Sequence, residues 1–405
     1  MRLNFKEYVM ILPSVDTCVA EWDKAGVILM HTPGYELFNG VIHPLAGLFE
    51  DYFDVDKAGG EHRGYIHMLE KNGISVHTVG EILNEVEIES IRVIANSVLK
   101  YDVSAIEDAD EEATEAYRQE ILSKMSRSDL IRCILLKPKV RLYRTDNNTG
   151  FDGTYIQDPL TNLYFTRDQS ICTQSGYIIG HMNSEQRAPE TDIIELCYRH
   201  LGLSPIFRVS GEGMLEGGDY FPAGKVSIIG CGMRTNYAGI RQIMENDAFG
   251  HDTVVVVKDH KFWQKQMHLD AYFNIIDCDL CTMVRGRLDA LPGTPDFLTC
   301  DIWTRKRGDK EYSLAESDLS FVEYLRDSGF QIIPVDYPDD MHYGNNYVTV
   351  SPRHIMAVAG QSEVLKKRFR EAGVNVEWVT LENLIRGYGG AHCMTQVLRR
   401  FPGSK

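Results

Sequence analysis

Helix-period and strand-period hydrophobic patterns alternate along this chain, and one combination of the two recurs. An amphipathic stretch closes on a short polar turn with glycine, and a β-branched run follows at once. The unit reads HRGYIHMLEKNGISVHTV over His62–Val79, TDIIELCYRHLGLSPIFRV over Thr191–Val209 and RQIMENDAFGHDTVVVV over Arg241–Val257. It returns as LSFVEYLRDSGFQIIPV over Leu319–Val335 and EVLKKRFREAGVNVEWV over Glu363–Val379. Gly73, Gly202, Gly250, Gly329 and Gly373 fall near the expected helix C-termini, where a left-handed conformation suits glycine. Strand-like runs at Gly26–His31, Tyr177–His181, Lys225–Gly230 and Tyr347–Val350 precede several of the helices.

Five α/β units of one plan fit radial or solenoid repetition. An ordinary α/β protein whose helices are capped by glycine fits the same pattern, and the pattern alone does not separate the two. The interval between the first and second units is much longer than the others and reads as helical and charged. Helices are expected over Glu85–Tyr101, Asp108–Lys124 and Ser126–Leu136, with Asp110, Glu111 and Glu112 at a helix start, where the dipole favours anions. The simplest account is a helical insertion over 82–140 within one catalytic domain spanning 1–405, since no low-complexity linker divides the chain.

Hydrophobic content of 43% and charged content of 25% supply a sizeable core and give no sign of disorder. The formal charge of −16 argues against a nucleic-acid partner, which calls for a basic face. No apolar run reaches the roughly 18 residues of a membrane span. Met1–Val9 lacks the apolar segment of a secretion signal, so a cytoplasmic location is expected. Nine cysteines, scattered and odd in number, fit a reducing compartment. The one close pair, Cys278 and Cys281, is expected to be buried structural thiols. Oligomeric state is left open by the sequence, a homo-oligomer included.

Four segments concentrate reactive side chains beside glycines or expected strand ends: NLYFTRD at Asn162–Asp168, EGGD at Glu216–Asp219, MHLD at Met267–Asp270 and GYGGAHCM at Gly387–Met394. Cys393 follows a glycine-rich approach rather than lying in an apolar run, which suits a nucleophile, although most cysteines are inert core residues. His268, between Met267 and Leu269, could be a core histidine. Asp270 lies two residues on and in a strand would share its face, giving a proton-transfer group with a charge partner. EGGD could be a tight turn, and FTRD could hold only an internal ion arrangement between Arg167 and Asp168. No cluster has zinc-site spacing and no glycine loop cradles phosphate, so neither a metal nor a cofactor is called for.

Taken together and in this order, the four motifs resemble those of the arginine deiminases, in the superfamily of guanidino-modifying enzymes. VILMHTPGYEL near the start, LFEDYF after it and the GNN at Gly344–Asn346 extend the resemblance over essentially the whole chain. The resemblance implies a five-bladed, pseudo-fivefold α/β propeller with a helical insertion after the first blade. It places the nucleophile on Cys393, the acid/base histidine on His268 and its partner glutamate on Glu216. Guanidinium-binding carboxylates fall on Asp168 and Asp270, and contacts to the substrate's amino acid end on Asn162, Arg187 and Arg234.

The implied reaction is hydrolysis of arginine to citrulline and ammonia through a covalent Cys393 thiouronium. Related possibilities are amidino transfer to an amine, or hydrolysis or dihydrolysis of arginine or another guanidine. The chemistry suits the residues: a planar guanidinium, with a pKa above about 12, must be held flat by carboxylates that accept its N–H forks. Those carboxylates should also hold the proton on the thiol until the cation arrives. One departure stands out. Family members usually carry Arg five residues before the nucleophile, in a gate over the substrate's amino acid end; here Tyr388 occupies it.

Overall fold

The computed structural model describes residues 18–147, 149–306 and 309–402; the signal reading of Met1–Val9 falls outside them. Each recurring unit builds one motif: two antiparallel strands, a crossing helix, and a third strand parallel to the second. In the second unit these are Ser170–Cys172, Tyr177–Ile179, helix Glu190–His200 and Pro205–Arg208. In the third they are Tyr220–Ala223, Val226–Cys231, helix Tyr237–Glu245 and Thr253–Lys258. The fourth has Phe273–Asp277, Leu280–Val284, helix Phe321–Asp327 and Gln331–Val335. The fifth has Val348–Ser351, His354–Val358, helix Glu363–Glu371 and Asn375–Val379.

The first unit draws on both ends of the chain. Gln396–Phe401 pairs antiparallel with Lys24–Met30, and Ser75–Thr78, beyond helix Val55–Lys71, pairs parallel with the same strand. Last strand and first thus close a ring of five blades, the α/β propeller that the repeated units and the resemblance pointed to. A hairpin of Thr299–Thr304 and Ser313–Ser320 adds two strands to the outer edge of the third blade.

Local sequence explains the repeated motif. The second strand of each blade is largely buried, and in the third blade, where the hairpin covers it, so is the third: Val254, Val255, Val256 and Val257 are fully buried, each worth roughly 1.5–3 kcal/mol. Asp54, Asn236, Ser320 and Ser362 cap four of the five blade helices by accepting a backbone N–H three residues on. Gly73, Gly202, Gly329 and Gly373 take φ of 75°, 75°, 93° and 70° between helix and strand, as expected. In the third unit Asp247 (φ 55°) takes that place just past the helix, and Gly250 turns the chain further on.

The long interval after the first blade carries helices Val79–Glu85, Ile88–Val98, Glu111–Lys124 and Arg127–Leu136. The helix expected over Glu85–Tyr101 is broken at extended Val86, and Tyr101 lies in a strand. That strand, Lys100–Asp102, joins Pro138–Arg144 and Phe151–Gln157 in a sixth sheet, so the interval is not purely helical. Ile91, Ile94, Leu122 and Leu130 from its helices share one buried cluster with Ile193 and Cys197 of the second blade. Cys281 is buried as expected, but Cys278 is exposed, because it occupies the turn between Phe273–Asp277 and Leu280–Val284.

Candidate active site in the loops before the first strands

The chemistry-bearing segments occupy equivalent places. Asn162–Asp168 leads into the first strand of the second blade, Glu216–Asp219 of the third, Met267–Asp270 of the fourth, Gly344–Asn346 of the fifth and Gly387–Met394 of the first. Five blades therefore deliver five loops to one place. The loops are bonded to one another: Arg167 N donates to Cys393 O at 3.0 Å, Gly217 N to Asp168 O at 2.8 Å, and His392 N to Asn346 O at 3.3 Å. Leu269 N donates to Asp219 Oδ1 at 2.9 Å.

EGGD is a turn, Gly217–Asp219 being one turn of 3₁₀ helix. MHLD is not the strand considered from its sequence: Leu269–Ala271 is also a 3₁₀ turn, with His268 extended just before it. The turn still presents His268 and Asp270 to one site. The glycines permit close approach. A Cβ on Gly218 would lie 2.7 Å from His268 Nδ1, and one on Gly389 2.5 Å from the Phe165 ring and 3.1 Å from Cys393 Sγ. The glycine-rich approach thus seats the loop against Phe165 and the thiol.

Asn162, Asp168, Arg187, Arg234, His268, Tyr388 and Cys393 line one pocket. Leu48, Phe165, Gln264, Met267 and Gly387 complete the wall. Glu216, fully buried, lies behind His268, and Asp270, also fully buried, lies against Cys393. Every residue singled out from the sequence is brought to this one place.

On one side, Glu216 Oε2 lies 2.9 Å from His268 Nε2, and Asp168 Oδ1 lies 3.8 Å from Nδ1. Burial pulls the imidazolium down, but Asp168, the Glu216 hydrogen bond and Asp219 outweigh it and lift His268 to about 9. For Glu216 burial works against ionisation, and the bond to His268 with the charges of Arg234 and Arg187 brings it down to about 2. Burial raises Asp168, against the pull of His268 and Arg187. At neutral pH the pair is imidazolium and carboxylate.

On the other side, Cys393 Sγ lies 3.4 Å from Asp270 Oδ2, which also accepts from His392 Nδ1 at 2.7 Å. Burial, Asp270 and Asp168 together push the thiol well up. Asp270 itself, despite burial, is held low by its bond to His392. One carboxylate oxygen on each acid, Oδ1 of Asp168 and Oδ1 of Asp270, is buried without a hydrogen bond from the protein. Asp219 Oδ2 and several other buried polar atoms share that state, and these two acceptors are set apart by their place beside the imidazole and the sulfur.

The arginines differ. Arg187 donates to Asp168 Oδ2 at 2.8 Å, to Glu190 at 2.9 and 3.1 Å and to Asn162 O at 3.3 Å, a closed buried network. Arg234 donates to Gln264 Oε1 at 3.1 Å and keeps a buried Nε without a partner. Arg167 forms no ion pair with Asp168; its Nε and Nη2 are buried without hydrogen bonds. Sequence reasoning overlooked Glu190, His392 and Asn346. His392 was visible beside Cys393, whereas Glu190 reads as an ordinary acidic helix start and Asn346 as a turn residue.

Asp168, Glu216 and His268 bring donor atoms within 4.8 Å of one another, as a metal site would. Glu216 and Asp168 already sit on the two nitrogens of the imidazole, at 2.9 and 3.8 Å, so an ion there would have to displace the His268 proton from between them. Among the described residues, no helix is long and apolar enough to cross a membrane.

Similar proteins have this plan. A curated arginine deiminase of Halobacterium salinarum is 28% identical, the match covering 95% of this chain and 96% of that one. One of Streptococcus uberis is 26% identical over 94% and 97%. Among solved structures, dimethylarginine dimethylaminohydrolase of Pseudomonas aeruginosa, complexed with citrulline, superposes with a TM-score of 0.55 at 17% identity, covering 93% of this chain and 100% of that one. The N-terminal domain of ArgZ, a cyanobacterial arginine dihydrolase bound to product, gives 0.56 at 14% identity over 92% and 97%. At these identities the two structures speak for the fold. The family model for arginine deiminase matches residues 46–400, and the chain belongs to that family.

Proposed function

We propose that the protein hydrolyses L-arginine to L-citrulline and ammonia, with Cys393 as nucleophile. Family membership and the curated relatives' names support the reaction. The observation that carries the residue roles is the pair of unpartnered buried oxygens, Asp168 Oδ1 and Asp270 Oδ1, beside a thiol and an imidazolium. A guanidinium laid between them offers both an N–H donor and leaves its carbon over the sulfur.

The cation offsets the carboxylates' field, and the thiol loses its proton to solvent. The thiolate adds to the guanidinium carbon, forming the C–S bond. His268 gives its proton to the departing nitrogen, the C–N bond breaks and ammonia leaves, with an S-alkylthiouronium on Cys393. Water then adds to the same carbon as His268 takes one of its protons; the C–S bond breaks, the adduct's hydroxyl gives its remaining proton to solvent, citrulline forms and the thiolate returns. Glu216 holds the imidazole in place throughout and, with its charge, favours the protonated state.

Tyr388 at the pocket wall favours one further reading, in which the same chemistry serves a guanidine with a different tail. Product analysis on arginine, agmatine, methylated arginines and citrulline separates the two. Citrulline and ammonia from arginine, in equal amounts and without an acceptor amine, are expected. Ornithine as product, or turnover of another guanidine in preference, overturns the assignment to arginine. A thiouronium adduct found by mass spectrometry on any cysteine but Cys393 overturns the residue roles.

A further inference from the structure

Four of the five equivalent loops supply Asp168, Glu216, His268 with Asp270, and Cys393. The fifth supplies Asn346, 1% exposed and placed before Val348–Ser351 as the others stand before their own first strands. Its side-chain amide is locked. Oδ1 accepts from Gly390 N at 3.0 Å and Cys393 N at 3.1 Å. Only the oxygen can accept two N–H groups, so the amide's orientation is fixed and Nδ2 faces the other way. There it lies 3.1 Å from Cys393 Sγ and 3.1 Å from Asp270 O, a donor with two hydrogens and two acceptors.

We propose that Asn346 is a catalytic residue: its Nδ2 hydrogen bonds to sulfur and stabilises the Cys393 thiolate as it forms and as it is expelled. The inference rests on Cys393 being the nucleophile. Around that sulfur, burial and the charges of Asp270 and Asp168 all favour the neutral thiol. The side-chain N–H of Asn346 is a neutral donor aimed at Sγ, where a cation would compete with the substrate for Asp168 and Asp270. A bond from N–H to an anion is stronger than to its neutral acid, so it acts on the charged state selectively. His268 is committed to Glu216, which leaves thiolate stabilisation to the amide, the Gly390 backbone N–H and the substrate. Neighbouring Asn345 is turned away: its Oδ1 accepts from Thr282 at 2.7 Å.

Asn346→Ser tests this, because it is too short to reach Sγ, removes the donor to sulfur together with the bond to Asp270 O, and adds no charge beside Cys393. Asn346→Ala, likewise uncharged, is the second variant should the first not fold. The readout is the rate of Cys393 alkylation by iodoacetamide against pH, resolved by mass spectrometry of its peptide, beside kcat and KM for arginine. Expected in either folded variant is an upward shift of the Cys393 ionisation by about one pH unit or more. A fall in kcat of about a hundredfold should accompany it, with KM within threefold. An unmoved alkylation profile overturns the proposal, even if turnover falls, because a structural role alone would leave the thiol's ionisation where it was. Loss of the nucleophile assignment is seen separately, as turnover surviving in Cys393→Ala.

Discussion

Glu216 Oε2 and His268 Nε2 meet at 2.9 Å with both side chains buried, and the proton between them is held up to about pH 9. If the reaction needs the imidazolium to discharge ammonia, kcat/KM for the free enzyme falls as pH rises through about 9. Glu216→Gln removes a charge that holds the proton, so this alkaline limb moves to lower pH by about one unit or more. Stability follows the same sign. A histidine raised in the fold contributes fully below its unfolded value of about 6.5, and the contribution is lost as pH rises through its folded value. The parent's melting temperature should therefore drop between neutral pH and about 9, and the variant's drop should be shallower. An alkaline limb that stays put in Glu216→Gln means that His268 is not the group it reports.

Asp270 both receives the proposed substrate and keeps the proton on Cys393, and these two effects pull apart in Asp270→Asn. With the charge gone, alkylation of Cys393 by iodoacetamide at pH 7 in the free protein should speed up by about tenfold. Turnover should nonetheless collapse by about a hundredfold or more, since an acceptor for the guanidinium fork is lost. Peptide-resolved alkylation kinetics measure the first and steady-state assays the second. Slower alkylation in the variant contradicts the electrostatic account of the thiol.

The legibility of the site follows from how locally each residue's signal is written. Cys393, His268, Glu216, Asp168 and Asp270 each stand in a short motif with glycines or a partner carboxylate, and those motifs keep their order. Asn346 escaped because asparagine in a turn already has a sufficient local reason, its side chain bonding nearby backbone. Arg187 illustrates a different limit: its partner Glu190, three residues on, sits in a helix's first turn, where an acid suits the dipole. Only the fold turns that acid inward. The blades were visible from periodicity because each buries a helix face and β-branched strands. In the interval after the first blade, Phe151–Gln157 is exposed along its length, so no buried face marks it as a strand.

Gly218 has a steric reason to lack a side chain. A methyl group there would meet His268 Nδ1 at 2.7 Å and Cγ at 2.8 Å, and the imidazole is the part able to move. Gly218→Ala must displace the His268 side chain, from its Cβ outward, by about half an ångström or more against Glu216. Misplacement of a catalytic group on the ångström scale costs about a hundredfold. We expect kcat to fall by at least tenfold, with a melting temperature several degrees below the parent. Full activity in a folded Gly218→Ala protein says that the ring's placement is not critical.

Tyr388 is the place to ask what the pocket's outer end recognises. It sits in left-handed backbone, φ 68°, after the short helix Leu384–Gly387, and it lines the pocket with Leu48 and Gln264. The loop is anchored independently of its side chain: Arg386 donates to Asp51 at 3.1 Å and to Tyr52 O at 3.0 Å, and Glu50 N to Arg386 O at 2.7 Å. Asn383 Nδ2 is held by Glu61 at 2.6 Å. Tyr388→Arg therefore changes the group presented without undoing the loop, and both residues bear the same left-handed backbone cost. If the amino acid end of arginine lies here, the new guanidinium gains a charge-assisted bond to its carboxylate, and KM should fall by about tenfold with kcat within threefold. Agmatine, which lacks that carboxylate, should show no such gain, so the ratio of the two KM values isolates the contact. An equal change for both substrates, or none for either, places the tail elsewhere in the pocket, with Arg234 the cation nearest to hand through its unpartnered Nε.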